Sequence, residues 1–581
     1  MPTRPPYHGL KRKLVIAFDL GTTFSGVSYA ILDPGKVPEI RTVTRFPGQD
    51  AGHYTVQTVV YYDEQGKLLA AGAEEPPIGD GGEDEDDWQD IEPLKVVWFK
   101  LLLRPKATAH DKSIPRATLP PSKDIVDVFA DFYRYLYEHA RTYIRETNAN
   151  GDMLWASLKD DVAIVLSHPN GWAGAQQGAM RRAAVKAGMV PDTREGRERI
   201  TFVSEGEASF HYCVARGLMD EVVEVGNNVM IIDAGGGTVD LSTYTFAKRL
   251  PVKISEIAAP GCIFHGSVII RQRAHDYLHK KLKGSRFGEK AYLDTITDCF
   301  DQVAKKRFKG VGDSLVKFSS LISERDPRLG IRNGQLRLTE KEMRVFFDPS
   351  IQEIIRAIEA QREAASPAQI PTFCLVGGFA ASEYLFSELS MHLKGDGVRL
   401  SRPDEHAGKA VAEGAVSFHI DHFVSTRAAQ FTYGVEATGE YDPRNKSHVR
   451  RKHDTFLSPN GTRYIRRVFE PLLVKGTLVG ETTEFKQEFV QSADDKDALR
   501  MIETDILCHT AVSPPEFVNT WNAGFRTMCT IKANVSHVPT SVTRGPRGKY
   551  HTREYTVVLS MGLTEFKAHL LWTDKVVVLL C

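Results

Sequence analysis

The sequence is poor in the features that mark several whole classes of protein. Its 581 residues hold seven cysteines, scattered from Cys213 to Cys581 with no Cys-x-x-Cys pair. This excludes a disulfide framework or a cysteine zinc site as the basis of the fold. It predicts reduced thiols, most of them in the core, and a cytoplasmic location with the nucleus as the alternative. No apolar run approaches the roughly 20 residues that a membrane-spanning helix needs, so no membrane span is expected. The opening MPTRPPYHGLKRK is basic, but the apolar segment after it is interrupted at Asp19, which a secretory signal would not tolerate. Net charge is also absent, since 74 Lys and Arg balance 74 Asp and Glu. No global field draws nucleic acid or anionic lipid, and no nucleic-acid partner is expected.

What is present is an ordinary globular composition, 42% hydrophobic and 25% charged, in a chain too long for one core. At about 100–200 residues per domain, two to four domains are expected. Charge is concentrated in two places. Glu74–Glu92 carries ten acidic residues and no basic one, while Arg444–Arg467 carries eight Lys or Arg against Asp454 alone. Both blocks read as solvated loops.

Leu14–Ser28, LVIAFDLGTTFSGVS, is a strand-forming run ending in an aspartate, then a Gly-Thr-Thr turn and a second half-apolar run. Alone it reads as a plain β-hairpin. The figure recurs at Asn228–Tyr244, NVMIIDAGGGTVDLSTY. In both copies the aspartate, Asp19 or Asp233, lies two residues before a glycine, so two similar lobes are implied. Bare amides at Gly21 and at Gly235-Gly236-Gly237 form concavities that attract phosphate oxygens. Three successive glycines cost conformational entropy that a simple hairpin turn has no reason to bear. A carboxylate beside a phosphate loop calls for a divalent cation, which points to hydrated magnesium.

The chain around the two copies is of α/β type. Val162–Leu166 reads as a buried strand, followed by a helix over Ala175–Ala187 closed by Gly188. Phe373–Leu393 repeats the order, its helix beginning near Ser382 with Glu383 in the first turn. Ligands of open α/β sheets sit beyond such strand ends.

These residues carry a resemblance. DLGTTFS (Asp19–Ser25) and DAGGGTVD (Asp233–Asp240) resemble the two phosphate motifs of the seventy-kilodalton heat-shock chaperones, in the actin and sugar-kinase superfamily. FVSEGEA (Phe202–Ala208) resembles the first connecting motif, and FCLVGGF (Phe373–Phe379) the adenosine motif. Asp404 with AVAEGAV (Ala410–Val416) resembles the second connecting motif. Five motifs in order over most of 400 residues are specific where each alone is weak.

The resemblance implies a two-lobed, actin-like (ribonuclease H-like) ATPase fold over residues 11–420 after a flexible residues 1–10. Lobe I would comprise about 11–222 and 405–420, and lobe II about 223–404. It implies ATP or ADP with Mg2+ as ligands. Asp19, Asp233 and Glu205 would hold the magnesium through water. The backbone of Gly21, Thr22 and Thr23 and of Gly235, Gly236, Gly237 and Thr238 would cradle the β- and γ-phosphates. The Thr22 and Thr238 hydroxyls would orient a water or a phosphate oxygen, and Lys100, in VVWFKLL (Val96–Leu102), the attacking water. Gly377 and Gly378 would lie against ribose and adenine, with Gln302, Lys305 and Lys306 on the other side of the adenosine and Asp404 in the hinge. The catalytic set is then Lys100, Glu205, Asp233 and Thr238, and the reaction slow hydrolysis of ATP to ADP and phosphate.

Three departures bear on that expectation. The arginine that stacks on adenine in the chaperones is replaced by Ala381, so base contacts would differ. The proline and threonine after the motif glutamate are Gly206 and Glu207, so hydrolysis would be slow or absent. The leucine-rich interdomain linker is replaced by FVSTRAAQ (Phe423–Gln430), which puts the usual coupling between nucleotide and client in doubt.

Beyond about residue 421, period-two alternation at Cys529, Ile531, Ala533 and Val535 and at Phe566, Ala568, Leu570 and Trp572 predicts a smaller β-rich domain over 421–581. It occupies the place of the chaperones' peptide-binding domain without room for a helical lid. That arrangement is similar to the divergent heat shock 70 kDa protein 12-like branch. The implied partners are unfolded or specific client proteins at this domain, and co-chaperones. Two other classes stay open: a non-hydrolysing nucleotide-sensing scaffold, and a small-molecule kinase of the same superfamily, whose acidic general base the sequence does not reveal.

Overall fold

The computed structural model describes residues 4–50, 52–76, 93–105, 114–172, 174–394, 398–403, 407–518, 524–562, 565–572 and 575–580. Asp404 and nearly all of the acidic block Glu74–Glu92 lie outside the described residues. The chain folds as two compact units. The larger comprises residues 1–172, 179–254 and 260–423, and the smaller 173–178, 255–259 and 424–581.

The larger unit is mixed α/β and builds the same figure twice. In one sheet the strand Lys13–Asp19 pairs antiparallel with Phe24–Leu32 and parallel with Val162–His168, which runs parallel to Ile200–Ser204. In the other, Asn228–Ala234 pairs antiparallel with Val239–Lys248 and parallel with Thr372–Val376, which runs parallel to Arg399–Ser401. The central strand of each carries the aspartate at its carboxyl end, opposite Gly26 in one hairpin and Asp240 in the other. Both strands are buried almost throughout, as the unbroken apolar runs VIAF and VMII require of strands covered on two faces. The Ile125–Thr147 helix, started by an Asp124–Asp127 capping box, buries Phe129, Phe132, Tyr133 and Leu136 in the core that also holds Leu14, Ile16 and Phe18.

Two helices follow the connecting motifs, Glu205–Ala215 and Ala410–Asp421, and they pack on each other. A Cβ on Gly414 would lie 1.8 Å from the Ala208 carbonyl oxygen, so only a glycine lets the backbones approach this closely. At the amino end, Arg4 pairs with Asp421 at 2.7 Å and the Tyr7 amide donates to the Lys36 carbonyl, so the segment expected to be flexible is tied down from Arg4 onward.

The smaller unit is built chiefly of β-strands. One sheet runs Thr455–Leu457, Arg463–Leu473, Thr432–Glu440, Met501–His509 and Arg526–Asn534. A second runs Glu484–Ala493, Gly548–Met561, Phe566–Trp572 and Lys575–Leu580, with Ser541–Gly545 also on the Gly548 strand. The period-two segments point inward as their apolar positions demand: Ile531, Ala533, Ala568 and Leu570 share one core with Val557 and Leu559. Cys213, Cys262, Cys299, Cys374 and Cys508 are free thiols. Cys529 is disulfide-bonded, which corrects the expectation of reduced thiols throughout.

No helix among the described residues is long and apolar enough to cross a membrane.

Candidate functional site

The site is built where the two copies of the figure meet. Gly21 permits the first turn, because a Cβ there would lie 2.1 Å from the Phe24 carbonyl oxygen. The second turn is closed by the Gly235 amide donating to the Thr238 carbonyl at 2.9 Å. The two turns touch. A Cβ on Gly236 would lie 2.4 Å from Thr23 Oγ1, and one on Gly237 would lie 2.4 Å from Thr22 Oγ1 and 2.8 Å from Leu101 Cδ2. Two of the three consecutive glycines are therefore demanded by threonines of the other hairpin. Their carbonyls are used as well: Gly266, Ser267 and Val268, at the start of the helix Ser267–Lys281, donate their amides to Gly237, Gly235 and Gly236.

Behind the turns lies a buried cluster of Asp19, Lys100, Glu205, Asp233 and Asp240. Lys100 Nζ donates to Glu205 Oε1 at 2.5 Å and lies 5.9 Å from the centre of the Trp172 ring. Ser167 donates to Asp19 at 2.9 Å from the neighbouring parallel strand, and Ser209 donates to Asp233 at 2.7 Å from the Glu205 helix. Asp240, opposite Asp233 in its hairpin, accepts from the Asn170 backbone amide at 2.5 Å. Burial, reinforced by Glu205, pushes the Asp19 and Asp233 carboxyls up to about 7, against the pull of Lys100. Burial and then Glu205 raise Asp240 well above the carboxylate range. Burial alone would lower the Lys100 ammonium, but Glu205 and Asp19 outweigh it and hold it above its ordinary value.

The adenosine candidates divide. Gly377 adopts φ 90°, and a Cβ on it would lie 2.4 Å from Asp233 Oδ1, so it belongs to the cluster; Gly378 faces open space. Gln302, Lys305 and Lys306 sit in and just after a π-helical turn, Phe300–Ala304, a distortion frequent at functional sites. Lys305 is bonded to Asp301, and burial pulls its ammonium below the usual range. Gln302 and Lys306 are exposed, and among the described residues no hydrogen bond joins these three to Gly377 or Gly378.

Three partners of the cluster escape the sequence reading, and one member, Asp240, is given no role by it. Ser167, Ser209 and Asn170 carry no signal beyond adjacency to a strand end, whereas Asp240 closes the DAGGGTVD motif and was legible there. Two departures from the chaperone pattern have local explanations. A Cβ on Gly206 would lie 2.3 Å from Ser242 Oγ and 3.1 Å from Asn170 Nδ2, so the space for a proline is taken. Asn170 Nδ2 itself donates to the Leu241 carbonyl, Ser242 Oγ and the Gly261 carbonyl. At the Gly378–Ala381 turn a guanidinium arrives from elsewhere: Arg402 donates to the Ala380 carbonyl at 3.2 Å, pairs with Glu383 and lies over Phe386.

No protein-family model matches the chain. It is 24% identical to human heat shock 70 kDa protein 12B over 567 aligned residues, covering 82% of this chain and 78% of that protein. It is also 24% identical to heat shock 70 kDa protein 12A of mouse and of human, covering 79% of this chain and 76% of each relative. The chain is thus similar to heat shock 70 kDa protein 12 over about four-fifths of its length. The similarity to heat shock 70 kDa protein 12 extends well beyond the five motifs, and the mixed α/β architecture is consistent with an actin-like ATPase fold.

Proposed function

We propose that the protein binds ATP between two lobes of an actin-like fold and hydrolyses it slowly, acting as a heat-shock-70-like chaperone or nucleotide-dependent switch. The observation that carries this reading is the face-to-face meeting of two Asp-turn hairpins over one buried charge cluster. Four carboxylates, Asp19, Glu205, Asp233 and Asp240, share a single lysine there, and burial raises Asp19 and Asp233 to about 7. Such a site suits a divalent cation. Asp19, Glu205 and Asp233 would hold that cation through its water shell. Magnesium, when bound, would neutralise the charge of the phosphates.

The chain's own residues would then act by positioning. Amides of both turns receive phosphate oxygens, and the Thr22 and Thr238 hydroxyls orient a water or phosphate oxygen. Lys100, fixed by Glu205, points its remaining N–H donors at the attacking water. The Gly377–Gly378 turn and the Gln302–Lys306 segment would flank the adenosine. Arg402 is a candidate for the guanidinium that the sequence lacks at Ala381. The β-rich unit would engage client proteins, and co-chaperones would act on the cycle in the cytoplasm or nucleus. The tie between Lys100 and Glu205, together with Gly206, also supports a protein that binds nucleotide without turning it over. ATP binding and ADP release measured on one purified sample separate the two: saturable magnesium-dependent binding with turnover supports the first, binding alone the second, and neither overturns both.

A further inference from the structure

A cavity of about 460 Å³ opens outside the charge cluster, within the range of about 300–1,000 Å³ typical of small-molecule sites. One wall holds Trp98, Ile114 and Pro115, and the other holds Ile269 and Arg273 from the helix Ser267–Lys281. None of its lining residues belongs to the phosphate turns or to the adenosine candidates. Its chemistry is uneven. Its aromatic side is Trp98, held at φ 56°, a conformation that bulky residues rarely adopt. Arg271 lies 5.2 Å from the centre of its ring.

The two arginines of this helix differ in how they are spent. Arg271 pairs with Asp298 at 2.6 Å. Arg273 has no carboxylate partner among the described residues. Its Nη1 donates to the Phe346 carbonyl at 3.1 Å and to Ser350 Oγ at 2.8 Å, which fixes the guanidinium, while Nε and Nη2 donate to no described residue. Burial pulls its pKa below the usual guanidinium value. Asp276, also in the lining, is committed to Gln272, from which it accepts at 2.9 Å. A fixed guanidinium with a free edge, beside an aromatic wall, is built for an acid group on a flat apolar body.

We propose that this cavity is a second ligand site, which takes a small aromatic monoanion with its ring system beside Trp98 and its acid group on Arg273. Its occupant couples to the charge cluster because each wall continues into it. Trp98 is two residues from Lys100, and the amides that begin the Arg273 helix are bonded to the Gly235–Gly237 carbonyls. The coupling, unlike the binding, rests on the nucleotide reading above.

The probe is 1-anilinonaphthalene-8-sulfonate, titrated by fluorescence into the folded full-length chain. Saturable binding is expected, about tenfold weaker in Arg273→Gln and abolished in Gln272→Trp, which fills the cavity from a half-buried position. The uncharged N-phenyl-1-naphthylamine should bind the parent less tightly and be indifferent to Arg273→Gln. Equal sulfonate affinity in the parent and in both variants, each shown folded by its melting curve, overturns the site. So does equal affinity for the neutral amine. If Arg273→Gln does not fold, Gln272→Trp and the neutral amine decide. Saturating ATP with magnesium should change sulfonate affinity; no change in a sample that demonstrably binds ATP removes the coupling. A sample that binds the sulfonate at Arg273 but no ATP overturns the nucleotide reading instead.

Discussion

The Asp19 and Asp233 hairpins share strand order, direction and the position of the carboxylate, yet their turns are opposites. The first turn offers side chains, Thr22 and Thr23, and the second offers backbone stripped of them at Gly236 and Gly237. The glycine positions are where the threonine hydroxyls sit, 2.4 Å from the Cβ that any other residue would bring. The lesson concerns what a glycine run means. Read alone, Gly235-Gly236-Gly237 answers only to a ligand; read against its partner hairpin, it also answers to the fold.

The largest effect should come from breaking that complementarity. Gly236→Val should lower ATP affinity about a hundredfold, near 2.7 kcal/mol, and adenosine affinity far less, since the branched side chain invades the space shared by the two turns. Calorimetric titration of both ligands gives the ratio, and equal losses would assign the turn to the fold alone. The smaller Gly236→Ala should cost about 1–3 kcal/mol of stability. Thr23→Ala should recover much of that loss, because Oγ1 is the nearest atom; additive melting shifts in the double variant would mean that the turns are not complementary in this way.

Asp19→Asn and Asp233→Asn compare the two carboxylates directly. Each should weaken magnesium-dependent ATP binding or turnover by about 10–100-fold while the fold survives. Parent-like binding and turnover in both would remove these residues from the site. Their titration supplies a third comparison. A carboxyl raised from 3.8 to about 7 holds its proton more tightly in the folded chain than in the unfolded one. Its contribution to stability is therefore complete below pH 3.8 and is lost as pH rises through 7. Nucleotide-free protein should melt at lower temperature at about pH 8 than at about pH 6, and Asp233→Asn should flatten the difference. A melting temperature that rises over this interval, and still rises in the variant, would contradict the buried carboxyls.

The smallest effect concerns the place of the missing proline. Gly206→Ala should cost on the order of 1 kcal/mol through the clash with Ser242 Oγ, and Ser242→Gly should restore it. Calorimetric melting of the pair checks this, and a Gly206→Ala chain as stable as the parent would leave the glycine unexplained.

Much of the fold was legible because its signals are local. The apolar runs before Asp19 and Asp233 are strands, the Ser382 cap starts a helix by accepting from the Leu385 amide, and the period-two segments of the smaller unit turn Ile531 and Leu570 inward. The cluster was legible only as far as single motifs reach. Lys100 and Glu205 were each singled out, but their bond to one another, like the contacts of Ser167, Ser209 and Asn170, joins distant parts of the chain that no spacing encodes. The same holds for Arg402, which comes to the Ala380 carbonyl from beyond the strand Arg399–Ser401, and for Thr22 and Thr23, whose importance to Gly237 and Gly236 is set by packing rather than by sequence neighbours.

The central claim is that the two hairpins together hold a nucleotide whose phosphates are neutralised by a cation on Asp19, Glu205 and Asp233. Calorimetric titration of ATP into the full chain, with magnesium and then with a chelator, tests it most directly. One saturable site is expected, with an affinity that falls sharply when magnesium is removed. No heat in either condition, or an affinity that magnesium does not change, would contradict it.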